Sequence, residues 1–261
     1  MQKEEIKFAD STVFEGMTSI RAIIKGSEDG INDRKIEKIL FDYEKIKKIG
    51  KEVGYLKAVS EKYGFTVEKS SKEQLDALAV GSSHGGLIAI TGKRSLPCLT
   101  ESFIKPNGFY AMIDGIEDPY NFGYSIRSLY PMGCEGLILP ERNWLSAAGV
   151  VCRSSAGASE RLPVCTSEPI TAAEIFKSKG YKIVCADERT DNILGQCELK
   201  LPILLIVGGE KRGISKAVLD KADILIKIGY EREFKASLSA ASATTMFAYE
   251  IARQNIAEKN K

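Results

Sequence analysis

The sequence predicts an α/β fold: a parallel-sheet domain in the C-terminal part, preceded by a smaller α/β domain. Three observations carry this. Short apolar runs alternate with segments of helical spacing along the whole chain. The C-terminal runs, above all LPILLIV at 201–207, are continuously apolar, the mark of strands buried on both faces of a parallel sheet. Between the halves, PCLTESFIKPN (Pro97–Asn107) breaks all periodicity with two prolines and reads as a connecting segment. The expected division is 1–100, a linker at 101–107, and 108–261.

In the first part, Lys35–Asp42 reads as a strand. Tyr43–Gly64 reads as a helix, with Ile46, Ile49, Val53, Leu56 and Val59 near helical spacing. Phe65–Glu68 is a second strand, and Ser71 with Gln74 forms a capping pair for a short helix ending at Leu78. Leu87–Thr91, after Gly85-Gly86, is a third strand.

In the second part, the expected strands are Phe109–Ile113, Gly136–Pro140, Leu162–Cys165, Tyr181–Ala186, Leu201–Val207 and Ile224–Ile228. Helices are expected at Tyr124–Tyr130, Leu145–Ser155, Ala172–Lys179 and Ser239–Gln254. The last is rich in alanine.

Of the 261 residues, 44% are hydrophobic and 28% charged, which suits a folded chain rather than a disordered one. No apolar run approaches the roughly 20 residues of a membrane span, and MQKEEIKFAD lacks a secretory apolar core. The expected compartment is the cytoplasm. The six cysteines are scattered, most of them in apolar runs, and there is a single histidine, His84. That pattern reads as small buried hydrophobes and excludes the usual Cys/His zinc set. Residues 1–105 hold 18 Lys/Arg against 16 Asp/Glu, and residues 106–261 hold 19 against 19. Neither half is a basic domain, so any nucleic-acid surface must be local.

Three segments carry chemistry. IVGGEKRGIS (Ile206–Ser215) sets Gly208, Gly209 and Gly213 directly after a buried strand, where ligands of open α/β sheets sit. Its spacing fits neither the dinucleotide nor the P-loop glycine pattern, and a plain tight turn is an equal reading. In DGIEDPYNFGYSIRSLYPMG (Asp114–Gly133), a helix starting near Phe122 puts Asn121 at the N-cap. Arg127 then falls between Ile126 and Leu129 on a core-facing helix, where an arginine needs an anionic partner, a phosphate or a carboxylate. In YEREFKASLSAASATTMFAYE (Tyr230–Glu250), small residues permit close helix packing, with Arg232 and Lys235 just before them.

Together, in this order, the segments resemble the three signature motifs of the SpoU/TrmH methyltransferases. Asp114, Asp118, Pro119, Asn121, Gly123 and Arg127 match the first motif, and Gly208, Glu210, Gly213, Ile214 and Ser215 match the second. Ile228, Ser237, Leu238 and Ala243 match the third, and RSSAGASERLPV (Arg153–Val164) looks like a further family stretch. The third motif departs from the pattern: Gly229 and Tyr230 stand for Pro and Met, its loop is one residue longer, and Ser239 and Ala241 replace Asn and Ser. In the first hundred residues, EGMTSIRAII and HGGLIAI resemble the RNA-binding accessory domain of these enzymes.

The resemblance implies a deep trefoil knot, a homodimer, and S-adenosylmethionine bound by Val207, Gly208, Gly209, Gly213, Ile228 and Leu238. It implies methylation of a ribose 2′-hydroxyl, most readily in ribosomal RNA and otherwise in tRNA, with no metal and no membrane. The implied catalytic set is Arg127, Asn121, Glu210, Ser237 and Ser239; RNA contacts fall to Arg127, Arg153, Arg232 and Lys235. Arg127, which stays protonated, is expected to anchor a phosphate and stabilise the developing alkoxide. Two alternatives stay open: a catalytically impaired RNA-binding protein of the same fold, and an unrelated Rossmann-type oxidoreductase.

Overall fold

The computed structural model describes residues 12–81, 84–140, 147–209, 212–234 and 236–259. They form two compact units, one from the described residues of 1–95 and 143–161, the other from those of 96–142 and 162–261.

The first unit holds β1 (Val13–Glu15), α1 (Gly16–Glu28), β2 (Ile36–Asp42), α2 (Ile46–Tyr63), β3 (Thr66–Ser70), α3 (Lys72–Leu78) and β4 (Leu87–Thr91). Its sheet runs β1-β4-β2-β3, with only β2 and β3 parallel. On α2, Ile49, Val53 and Leu56 are buried as their spacing predicts. Ile46 is exposed, because it opens the helix before the buried face begins. Ser71 accepts from the Gln74 N–H and the Gln74 side chain returns to Ser71, the expected capping box. Pattern reading missed β1 and α1.

The described residues of 143–161, a segment expected in the C-terminal domain, pack with this first unit. Its helices are α5 (Ala148–Ser154) and α6 (Ala158–Arg161). Ala148 and Cys152 join the core of Phe14, Ile20 and Ile23. Glu160 forms an ion pair with Arg34 at 3.0 Å, their side chains only 3% and 1% exposed, and Arg94 donates to the Ser159 carbonyl at 2.7 Å. Apolar burial and a satisfied buried charge outweigh sequence adjacency.

The second unit holds β5 (Phe109–Asp114), α4 (Pro119–Leu129), β6 (Cys134–Leu139), β7 (Val164–Thr166), α7 (Pro169–Ser178), β8 (Lys182–Ala186), β9 (Ile203–Gly208), α8 (Lys216–Leu219), β10 (Ile224–Ile226) and α9 (Ala240–Lys259). Its six strands run β10-β8-β9-β5-β6-β7, every pair parallel. The Pro97–Asn107 segment is not a free linker. Leu99 and Ile104 are buried in this unit's core, and the Leu99 N–H pairs with the Thr166 carbonyl at 2.7 Å. Its prolines end periodicity without ending packing.

Candidate active site

Three adjacent strands, β10, β8 and β9, end at Ile226, Ala186 and Gly208, and beyond their carboxyl ends lies a cavity of about 750 Å³. That is where open α/β sheets take ligands, and the volume is that of a small-molecule site, ~300–1,000 Å³.

The glycine loop shapes one wall through backbone approaches that no other residue permits. A Cβ on Gly209 would stand 2.0 Å from the Gly115 carbonyl oxygen, and the Gly209 N–H donates to the Asp114 carbonyl at 2.6 Å. A Cβ on Gly208 would stand 2.4 Å from the Gly213 carbonyl carbon. The Gly213 N–H returns to the Gly209 carbonyl at 2.9 Å, closing the loop. The first and second motifs therefore meet backbone to backbone.

The third motif supplies the opposite wall. Ser239 ends the loop and caps α9, its hydroxyl accepting from the Ser242 N–H at 3.2 Å. Ala240, Ala243 and Phe247 of α9 face the cavity. The same helix packs on α4, with Ser128 Oγ and Thr245 Oγ1 hydrogen-bonded at 2.6 Å.

Val207, Gly208, Gly209, Gly213, Ile228 and Leu238 all line the cavity, as does Ser237. Asn121, Arg127 and Ser239 are not among its lining residues. Asn121 does not cap its helix. Asp118 does, with Pro119 at the first helical position, because a carboxylate ahead of proline meets both orphan N–H groups of the first turn. Arg127 is exposed rather than core-facing. Phe122, Ile126 and Leu129 take the buried face, leaving Tyr120, Tyr124 and Arg127 along the outer one. Arg232 is exposed in the third-motif loop. Arg153 lies in the first unit and pairs with Glu15 at 2.7 Å. Glu210 and Lys235 lie outside the described residues.

Sequence reasoning missed Asp187, Arg189 and Phe234, which also line the cavity. Asp187 directly follows β8, so its place beyond a strand end was a usable signal. Arg189 clamps it at 2.9 and 2.7 Å, and these hydrogen bonds hold the Asp187 carboxyl below the usual carboxylate range. Apolar walls from Ile226, Leu238 and Phe247 suit a flat ring, and the ionised Asp187 suits hydroxyl or cationic groups. This fits a nucleoside-bearing cofactor such as S-adenosylmethionine. Among the described residues no cluster could hold a metal ion, and no helix is long and apolar enough to cross a membrane.

A parallel α/β unit with these three loops at its strand ends defines a class. The profile of the SpoU rRNA Methylase family matches residues 108–249, and the chain belongs to that family; it is an RNA methyltransferase. Over 261 residues it is 27% identical to the 23S rRNA (guanosine-2′-O-)-methyltransferase RlmB of Shewanella oneidensis, covering 97% of this chain and 99% of that one. It is 26% identical to the putative TrmH family tRNA/rRNA methyltransferase YacO of Bacillus subtilis, covering 85% and 90%. The SpoU methyltransferase AviRb of Streptomyces viridochromogenes, solved in complex with the cofactor AdoMet, has a similar fold. Its TM-score is 0.75 at 21% identity, over 94% of this chain and 90% of that one.

Proposed function

We propose that this chain transfers a methyl group from S-adenosylmethionine to a ribose 2′-hydroxyl, with ribosomal RNA as the favoured substrate and tRNA the alternative. The observation that carries this is the cavity at the ends of β8, β9 and β10, walled by the second and third motifs of a family member. When bound, the cofactor supplies an activated methyl group on a sulfonium.

The protein's part is placement. Gly208, Gly209, Gly213, Ile228 and Leu238 hold the cofactor, and Ser237 reaches it from the rim. Arg127, exposed and bearing a bidentate guanidinium, anchors an RNA phosphate, which takes the hydroxyl's proton, and stabilises the developing alkoxide. Asn121, six residues earlier, positions Arg127 or the ribose. Ser239, its hydroxyl committed to the cap of α9, acts by setting where that helix starts. Glu210 orients the glycine loop. Because Glu15 already takes up the charge of Arg153, the RNA contacts rest on Arg127, Arg232 and Lys235. The first unit supplies the accessory RNA surface.

A homodimer belongs to the same reading. Tyr120 and Tyr124 on α4, and Met246, Tyr249 and Ile256 on α9, leave large apolar side chains exposed on two helices that pack together.

The test is calorimetric titration with S-adenosylmethionine and with NADH, followed by mapping of 2′-O-methyl losses in a deletion strain. Binding of S-adenosylmethionine alone and loss of one methyl mark support the reading. Binding of neither favours an RNA-binding protein without catalysis, and binding of NADH removes the proposal.

A further inference from the structure

The departures of the third motif place two aromatic rings at the rim of the cavity. Tyr230 and Phe234 are 46% and 57% exposed, and both line the cavity. Their centroids lie 6.0 Å apart at 71°, and an edge-to-face pair leaves ring faces uncovered. The pair is held to the cofactor wall: the Tyr230 hydroxyl accepts the Leu238 N–H at 3.2 Å, so the ring end is fixed where the loop returns to α9. Arg232, between the two in sequence, is also exposed.

Exposed aromatic rings have a specific use where RNA is handled. Unstacked bases are received on aromatic side chains, and alanine substitution there weakens binding of the strand. A ribose hydroxyl can reach the cavity only if its nucleotide lies across the rim, and its base must then rest on what the rim provides.

We infer that Tyr230 and Phe234 form a stacking platform for the base of the nucleotide being methylated, with Arg232 on a neighbouring phosphate. This rests on the RNA-methylation reading. It assigns the rings to RNA rather than to the cofactor, because they stay half exposed at the rim while Ile226 and Phe247 form the enclosed wall.

The experiment uses the full chain, Phe234→Ala, Phe234→Trp, and two probes. A ten-nucleotide single-stranded oligoadenylate carrying 2-aminopurine reports stacking by fluorescence quenching, and calorimetry with S-adenosylmethionine reports the cofactor site. The expected result is quenching by the wild type and a five- to tenfold weaker oligonucleotide affinity for Phe234→Ala. Phe234→Trp restores it, and in Phe234→Ala the cofactor affinity falls less than the oligonucleotide affinity. No quenching by the wild type, or unchanged oligonucleotide affinity in Phe234→Ala, overturns the platform. So does a fall in cofactor affinity as large as or larger than the fall in oligonucleotide affinity, which would give the rings to the adenine. Wild-type cofactor binding is scored separately, so loss of the platform is distinguishable from loss of the parent reading.

Discussion

The Asp118 carboxylate receives the backbone N–H of Asn121 at 3.0 Å while also taking that of Tyr120 at 3.3 Å. Asp118 thereby starts the helix that carries Arg127, and the capping role that the sequence suggested for Asn121 falls to Asp118. Asp118→Ala should cost about 1 kcal/mol of stability, read in urea unfolding. Asp118→Asn retains the cap and most of the stability. Equal stability of Asp118→Ala and the wild type would mean that the Asp118 cap adds nothing to the stability of α4.

Gly209 is held against Gly115 by backbone alone. Gly209→Ala puts a methyl group 2.0 Å from a carbonyl oxygen that has no side chain to swing away. The expected outcome is loss of about 1–3 kcal/mol of stability together with at least tenfold weaker S-adenosylmethionine binding. Gly54→Ala is the contrast. That glycine sits inside α2 with nothing within 4 Å of the added Cβ, so alanine should stabilise by about 0.5–1 kcal/mol. Unfolding curves of the two variants should move in opposite directions.

The cysteines divide by burial. Desolvation pushes the thiols of Cys134, Cys152, Cys165 and Cys185 up to about 12, leaving almost no thiolate at neutral pH. Cys98 is exposed and Cys197 half-buried. A thiol-reactive reagent at pH 7 should modify Cys98 first and Cys197 more slowly, with the other four reacting only after unfolding. Mass spectrometry of the native, labelled protein checks this.

Glu250 on α9 is clamped by Arg253 at 2.8 Å through both oxygens and receives Gln254 at 2.7 Å. The Arg253 hydrogen bonds lead in holding its carboxyl below the ordinary 4.5. A depressed carboxylate adds stability that is full above the unfolded value and is lost as pH falls through the folded one. Wild type should therefore melt higher than Glu250→Gln from pH 7 down to about 5. The gap should close below 4.5. A gap independent of pH would mean that Glu250 acts through packing and not charge.

Apart from β1 and α1, most of the element order and the three loops were legible in the sequence, because strand burial, capping and turn chemistry are local. The run at 201–207 read as an inner strand, while the glycines after it fitted a tight turn as well as a close approach until the backbone contacts of Gly208 and Gly209 decided it. Even the Ser71–Gln74 cap followed from a three-residue spacing. What the tertiary structure alone decided was which distant groups share a surface. Glu160 pairs with Arg34 across 126 residues, drawing its segment into the first unit. The outer face of α4 takes Arg127 because Phe122, Ile126 and Leu129 have a core to fill. Asp187, Phe234 and Gly208 meet only because β8, β9 and β10 end side by side. Local free energies are written in neighbouring residues. The environment of a side chain is set by contacts that close over long loops, and no window along the chain contains them.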